Sequence, residues 1–158
     1  MRKAQIASID LFIAITIFLI LAAATIYTWN LYTVRLNESL EYEKMQLIVF
    51  QITDLLVKSQ GHQTGWEENP ANVGVIGLAQ DDRILSQDKV TAFTNLDYNL
   101  SKERLNIEPY DYKFKIKTLS GSVVQESGLA FDGDTSIIIE RYILLEDEKR
   151  IMEFSLWK

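Results

Sequence analysis

The chain has 158 residues, with 16 Lys or Arg against 22 Asp or Glu and a net charge of −6. It has no Cys and one His, which excludes a disulfide framework, a thiolate nucleophile, a cysteine zinc site and a multi-His metal site within one chain. Setting aside Arg2, Lys3, Asp10 and Arg35 leaves 13 basic and 21 acidic residues, a charge of −8, so a nucleic-acid partner is not expected; that needs a basic surface.

Residues 11–34 form a run of 24 positions without one Asp, Glu, Lys or Arg. At about 1.5 Å rise per residue, such a helix is roughly 36 Å long, enough to cross a ~30 Å hydrocarbon core. No Gly or Pro interrupts it. Arg2 and Lys3 lie before the run, while Glu38, Glu41 and Glu43 follow Arg35. The positive-inside rule then expects a single-pass cell-membrane protein, with its N-terminus cytoplasmic and its folded part outside. Tyr27, Trp29 and Tyr32 gather near the outer end, where amphipathic rings favour the interface.

Helical character continues past Arg35. Leu36, Leu40, Leu47, Ile48, Ile52, Leu55 and Leu56 recur mostly at spacings of three and four, with Glu38, Glu41, Glu43 and Lys44 between them. That pattern predicts an amphipathic stripe ending before Gly61. Residues 60–72 read as a polar loop carrying an isolated Trp66. Two short helices follow, with Ser86 and Ser101 as expected N-caps and Leu85 with Val90, and Leu100 with Leu105, as expected staples.

The last fifty or so residues read as β. Tyr110, Tyr112, Phe114 and Ile116 alternate with Asp111, Lys113, Lys115 and Lys117, giving one apolar and one charged face. Ser120-Gly121 and the cluster Asp132-Gly133-Asp134 read as turns, and residues 146–149 as a hairpin loop between two further strands. The expected fold class is α+β. A long N-terminal helix, transmembrane in its first half, carries a small C-terminal antiparallel sheet of three or four strands on its second half. Phe114, Ile116 and Ile138 are expected to cover the stripe Leu40, Leu47, Ile48, Ile52 and Leu55, since neither face is stable alone in water.

The short basic leader Met1-Arg2-Lys3-Ala4, then Gln5, and the segment Gln5-Ile6-Ala7-Ser8-Ile9-Asp10 before the apolar run form a distinct pattern. It resembles the N-terminus of archaeal type IV pilin-like proteins with a class III signal peptide. Residues 61–66, Gly77-Leu78, Arg83-Ile84-Leu85-Ser86 and the β-rich end at Trp157 follow in an order similar to small ectodomains of that family. The resemblance implies cleavage between Ala4 and Gln5 by a membrane prepilin peptidase. It implies residues 1–4 as leader, 5–35 as transmembrane or filament-core helix, 36–60 as its amphipathic continuation and 61–158 as an extracellular α+β domain. Partners would be copies of this chain or related pilin subunits. Asp10 would be the sixth mature residue, whereas the family usually has Glu at the fifth. The resemblance casts Asp10 as the partner of a neighbouring subunit's free α-amine. Geometry alone equally allows Asp10 to cap the helix N-terminus against its macrodipole.

Asn37-Glu38-Ser39 and Asn99-Leu100-Ser101 are N-glycosylation sequons, Asn99 being placed in an expected loop. Asp81-Asp82 and Asp132-Gly133-Asp134 have too few acidic ligands at fixed spacing for a calcium loop, and His62 reads as a solvated loop residue. The lysine face of Lys113, Lys115 and Lys117 reads as the solvent side of a strand. No nucleophile motif, phosphate loop or carboxylate pair stands out, so no cofactor, metal or enzymatic activity is expected. The expected role is structural: a major or minor subunit of a pilus-like surface assembly. The alternative is a membrane-anchored extracellular binding or sensing domain that does not polymerise.

Overall fold

The computed structural model describes residues 2–63, 65–133 and 135–158, with side chains from residue 9 onward. The fold is α+β: a long N-terminal helix followed by a domain with a mixed six-stranded sheet. Helix α1 spans Arg2–Lys58. The chain divides into two compact units, Met1–Glu43 and Lys44–Lys158.

In the second unit, the last turns of α1 bury Met45, Val49, Ile52, Leu56 and Val57. Positions 45, 49, 52 and 56 follow a four-three-four spacing, so they share one face of the helix. Ile48 packs at its edge and Leu55 is half-buried. The expected stripe is corrected at its N-terminal end: Leu36, Leu40 and Leu47 are exposed, Leu47 by 58%.

The polar loop after α1 is folded into two short 3-10 turns, Trp66–Glu68 and Pro70–Asn72. Trp66 is buried, and its indole N–H donates to the Gly77 carbonyl at 3.1 Å. Two glycines make this possible. Gly61 has φ +84°, and a Cβ there would meet the Trp66 ring at 2.8 Å; a Cβ on Gly77 would meet Ser59 O and Gly61 N at 2.3 Å. Backbone thus crosses backbone with no room for a side chain.

Strands β1 (Ala79–Asp81) and β2 (Ile84–Leu85) come next, then α2 (Gln87–Thr94) and α3 (Tyr98–Leu105). Ser86 stands at the N-cap of α2, but its side chain makes no capping bond. Leu85 and Val90, the expected staple, are both buried. For α3 the N-cap is Asp97, whose carboxylate accepts from Leu100 N–H at 3.0 Å. Ser101, expected to cap, instead lies inside α3, buried; its hydroxyl donates to the Tyr98 carbonyl at 2.7 Å and meets Tyr112 OH at 2.5 Å.

Strands β3 (Asp111–Thr118), β4 (Val123–Gly128), β5 (Ser136–Leu145) and β6 (Glu148–Trp157) are joined antiparallel, in line with the sequence reading. The full order is β1-β2-β5-β6-β3-β4. Short β1 and β2 were not foreseen, and β2 lies parallel to β5, which makes the sheet mixed. The β5–β6 hairpin turns on Glu146 and Asp147, both at positive φ (53° and 61°), the two-residue turn whose twist matches paired strands.

The inner face of the sheet carries Tyr112, Phe114 and Ile116 from β3, Met152, Phe154 and Leu156 from β6, and Ile137, Ile143 and Leu145 from β5, all buried. They join the α1 stripe in one hydrophobic core. Tyr112 stacks between Phe154 (centroids 5.4 Å apart) and Tyr98 (5.2 Å), while Phe93 of α2 meets Phe114 edge-on at 5.0 Å. Ile138 is not in this core. It is 57% exposed, because Ile138 pairs with Ser155, and both lie on the opposite face from Phe154.

Candidate functional site: the apolar helix and the faces of the domain

The most distinctive surface belongs to α1 within the first unit. Its apolar window has a mean hydropathy of 2.6, and none of it is buried in the protein. Phe12, Phe18, Ile20, Leu21, Ile26, Trp29 and Tyr32 are all more than half exposed, and their positions run around the whole helix. This is one helix long and apolar enough to cross a membrane. Its threonines are satisfied within the helix: Thr16, Thr25, Thr28 and Thr33 donate to the carbonyls of Phe12, Leu21, Ala24 and Trp29 at 2.8–2.9 Å. In hydrocarbon, where no water can serve a free hydroxyl, that arrangement removes most of the cost of carrying threonine.

Asp10 lies exposed on α1 at the start of this segment. The expected cleavage pair Ala4 and Gln5 lies outside the residues whose side chains are described. Asn37 is exposed on α1. Asn99 is exposed too, but in the first turn of α3 rather than in a loop, and the hydroxyl of its sequon is the buried Ser101. His62 is exposed, and its main-chain N–H donates to Val75 O at 2.9 Å. Asp81 lies in β1 and Asp82 in the turn that follows; Asp132 and Gly133 lie in the connection to β5, and Asp134 is outside the described residues. Among the described residues, no group of three or more His, Cys, Asp or Glu is placed to hold a metal ion.

The lysine face is more than a solvated surface. Lys115 Nζ lies 3.0 Å from Glu153 Oε1, Lys117 bonds Glu153 and sits 3.4 Å from Glu140, and Lys113 lies 3.2 Å from Glu126. The pairs cross from β4 through β3 and β6 to β5. Burial pushes the Glu153 carboxyl up, but the hydrogen bonds and charges of Lys117 and Lys115 prevail and hold it below its ordinary value. Lys117 is raised, chiefly by its bond to Glu153. Nearer α3, Asp111 is held low by hydrogen bonds from Tyr98 OH (2.7 Å) and Lys102 (2.9 Å).

No family model, curated protein or solved structure matches the chain.

Sequence reasoning missed Arg141. It lies on the inner face of β5, half-buried, yet reaches the edge of the core. Its guanidinium donates to Thr53 Oγ1 at 3.3 and 3.4 Å, lies 3.9 Å from Asp54, and stands 4.6 Å over the Phe50 ring. It ties β5 to the last turns of α1 by hydrogen bond, charge and cation–π contact together. The long apolar run around it hides the role: residues 137–139 and 143–145 are aliphatic on both faces, so no alternation marks which face Arg141 takes. An open acidic cleft of about 770 Å³ also lies between the 3-10 turns and α2, bordered by Glu67, Glu68, Asp88 and Asp97. The glutamates and the aspartates are about twenty or more positions apart in sequence, and the fold brings the two pairs to one cleft.

Proposed function

We propose that this chain is a structural subunit, major or minor, of a type IV pilus-like surface assembly, held in the cell membrane by α1 before it is built in. The carrying observation is the apolar half of α1, exposed around its full circumference and hydrogen-bonded within itself. Such a helix is stable only when surrounded by lipid or by other apolar helices. A filament core of identical helices offers the second environment, so one surface serves both states. The leader Met1-Arg2-Lys3-Ala4-Gln5 supports processing of the pilin kind, and an acidic residue at the start of the apolar run, Asp10, supports assembly although it stands one position beyond the family's usual Glu. On this reading the N-terminus starts in the cytoplasm, the sheet domain lies outside, and the role is architectural rather than catalytic.

Two measurements test it. Intact mass of the native protein is expected to show a chain beginning at Gln5. Asp10→Ala is expected to leave cleavage and membrane insertion intact while removing the subunit from sheared, purified filaments. A carboxylate and an α-amine in a low-dielectric core stabilise docking only as a pair, and either alone carries an uncompensated desolvation cost. A helix-capping Asp10 would contribute only about 0.3–1 kcal/mol and would not change incorporation. Wild-type protein found only in the membrane fraction of a filament-bearing host would overturn the proposal in favour of an anchored domain that does not polymerise.

A further inference from the structure

Strand β5 has ten residues and pairs along its whole length with β6, but on its other side β2 covers only Leu144 and Leu145. Residues 136–143 therefore form an edge with no strand partner among the described residues. The Leu144 N–H donates across to Arg83 O at 2.9 Å. Alternate residues of a strand aim their main-chain groups to the same side, so Tyr142, Glu140 and Ile138 present N–H and C=O to this open edge. The edge is accessible: Ile138 is 57% and Tyr142 76% exposed. Beside it lies a hollow of about 240 Å³ bordered by Asp54, Lys58, Arg83, Glu140 and Arg141.

The sheet has a second open edge at its far end. Leu129 N–H donates inward to Tyr112 O at 3.0 Å, so Glu126 and Gly128 of β4 aim their main-chain groups outward. Each step from β5 to β6 to β3 to β4 is antiparallel, so β4 runs opposite to β5. We propose that the open edge of β5 receives strand β4 of a second copy of this chain, head to tail, so that the sheets of neighbouring copies become continuous.

Four features select that occupant. Only extended backbone satisfies alternating N–H and C=O groups. The six residues of β4 fit within the open stretch of β5. The strand senses make the new pairing antiparallel, with the outer faces of both sheets on one side. On that face Val124, at the bulge of β4, comes opposite either Ile138 or Tyr142 of the next copy according to register, both exposed, while Glu126 and Glu140 arrive already paired with Lys113 and Lys117 of their own chains. A contact between two different edges does not close on itself, so it propagates along a row of subunits. The proposal rests on the filament reading only in needing neighbouring copies; the strand contact is separate from helix packing.

The chain lacks cysteine, so introduced thiols report contacts without background. Full-length chains carrying Val124→Cys with Ile138→Cys, or Val124→Cys with Tyr142→Cys, would be oxidised in membranes and in sheared filaments. The expected result is a ladder of covalent multimers from at least one double variant, and none from any single variant. Dimers from Ile138→Cys or Tyr142→Cys alone would mean like edges pair, overturning the proposal; monomer only from both double variants would overturn it as well. Filaments without a ladder would remove the strand contact while leaving the filament reading intact, and a ladder without filaments would do the reverse. Glu140→Pro deletes an edge-facing N–H that the β5–β6 ladder does not use. Added to the double variants, it is expected to abolish the ladder while the domain still unfolds cooperatively, at a midpoint lowered by no more than in a Glu140→Ala control that also lacks the Lys117 pair; a ladder that persists refutes the pairing.

Discussion

Leu47 and Leu56 lie on the same helix and look equivalent in sequence, yet truncating them is expected to have opposite outcomes. Leu56 is fully buried among Val49, Ile52 and the inner face of the sheet, whereas Leu47 is 58% exposed. Leu→Ala removes three carbons, about 2.4 kcal/mol of transfer free energy at ~0.8 kcal/mol per methylene. The cavity left in a closed core adds to this, bringing Leu56→Ala to about 3 kcal/mol within the usual ~2–5 kcal/mol range. Against a typical total stability of about 5–15 kcal/mol, that is a large fraction. Leu47→Ala is expected within about 0.5 kcal/mol of wild type, as for surface changes generally. The assay is guanidinium unfolding of the full chain in detergent micelles, followed by the fluorescence of Trp66 and Trp157, both buried in the domain. Equal midpoints for the two variants, or a Leu56→Ala loss below about 1 kcal/mol, would refute the assignment of the buried face of α1.

Gly77→Ala places a methyl at 2.3 Å from the backbone of Ser59 and Gly61, so it is expected to cost more than the about 1–3 kcal/mol of ordinary overpacking; retention of the wild-type thermal midpoint would contradict that crossing. Glu153 binds its proton less readily in the folded state than in the unfolded chain, so the stability it contributes is full above its ordinary value of 4.5 and is lost as pH falls through the lower folded value. Glu153→Gln is accordingly expected to flatten the acid limb of a stability-against-pH curve, and an unchanged limb would show that other carboxylates set it. Glycan mapping of the native protein is expected to find Asn99 unmodified, because the Ser101 hydroxyl of its sequon is held by Tyr98 and Tyr112; a glycopeptide containing Asn99 would show the site is modified before the fold closes.

The apolar span was legible because partition between water and hydrocarbon depends on composition over some twenty residues, and no distant residue can change it. The charged-against-apolar alternation of β3 and the turn at residues 146–149 were legible for a similar reason: pleat and turn geometry act between near neighbours. What lay beyond the sequence is what depends on where another element lands. On the second half of α1, apolar residues occupy more than one stripe, and local periodicity cannot say which one meets the sheet; the core takes Met45, Val49, Ile52 and Leu56, while Leu47 is exposed. In β5, with isoleucines on both faces, the pairing of Ile139 with Phe154 decides that Ile138 faces out and Arg141 faces α1. Trp66 read as an isolated aromatic in a polar loop, but a backbone crossing between Gly61 and Gly77, sixteen positions apart, encloses it. The open edges of β4 and β5 follow from strand order, which only long-range pairing sets. Sequence determines what each segment can bury; the tertiary structure decides which surface is buried, because burial is a property of two surfaces and only one of them is local.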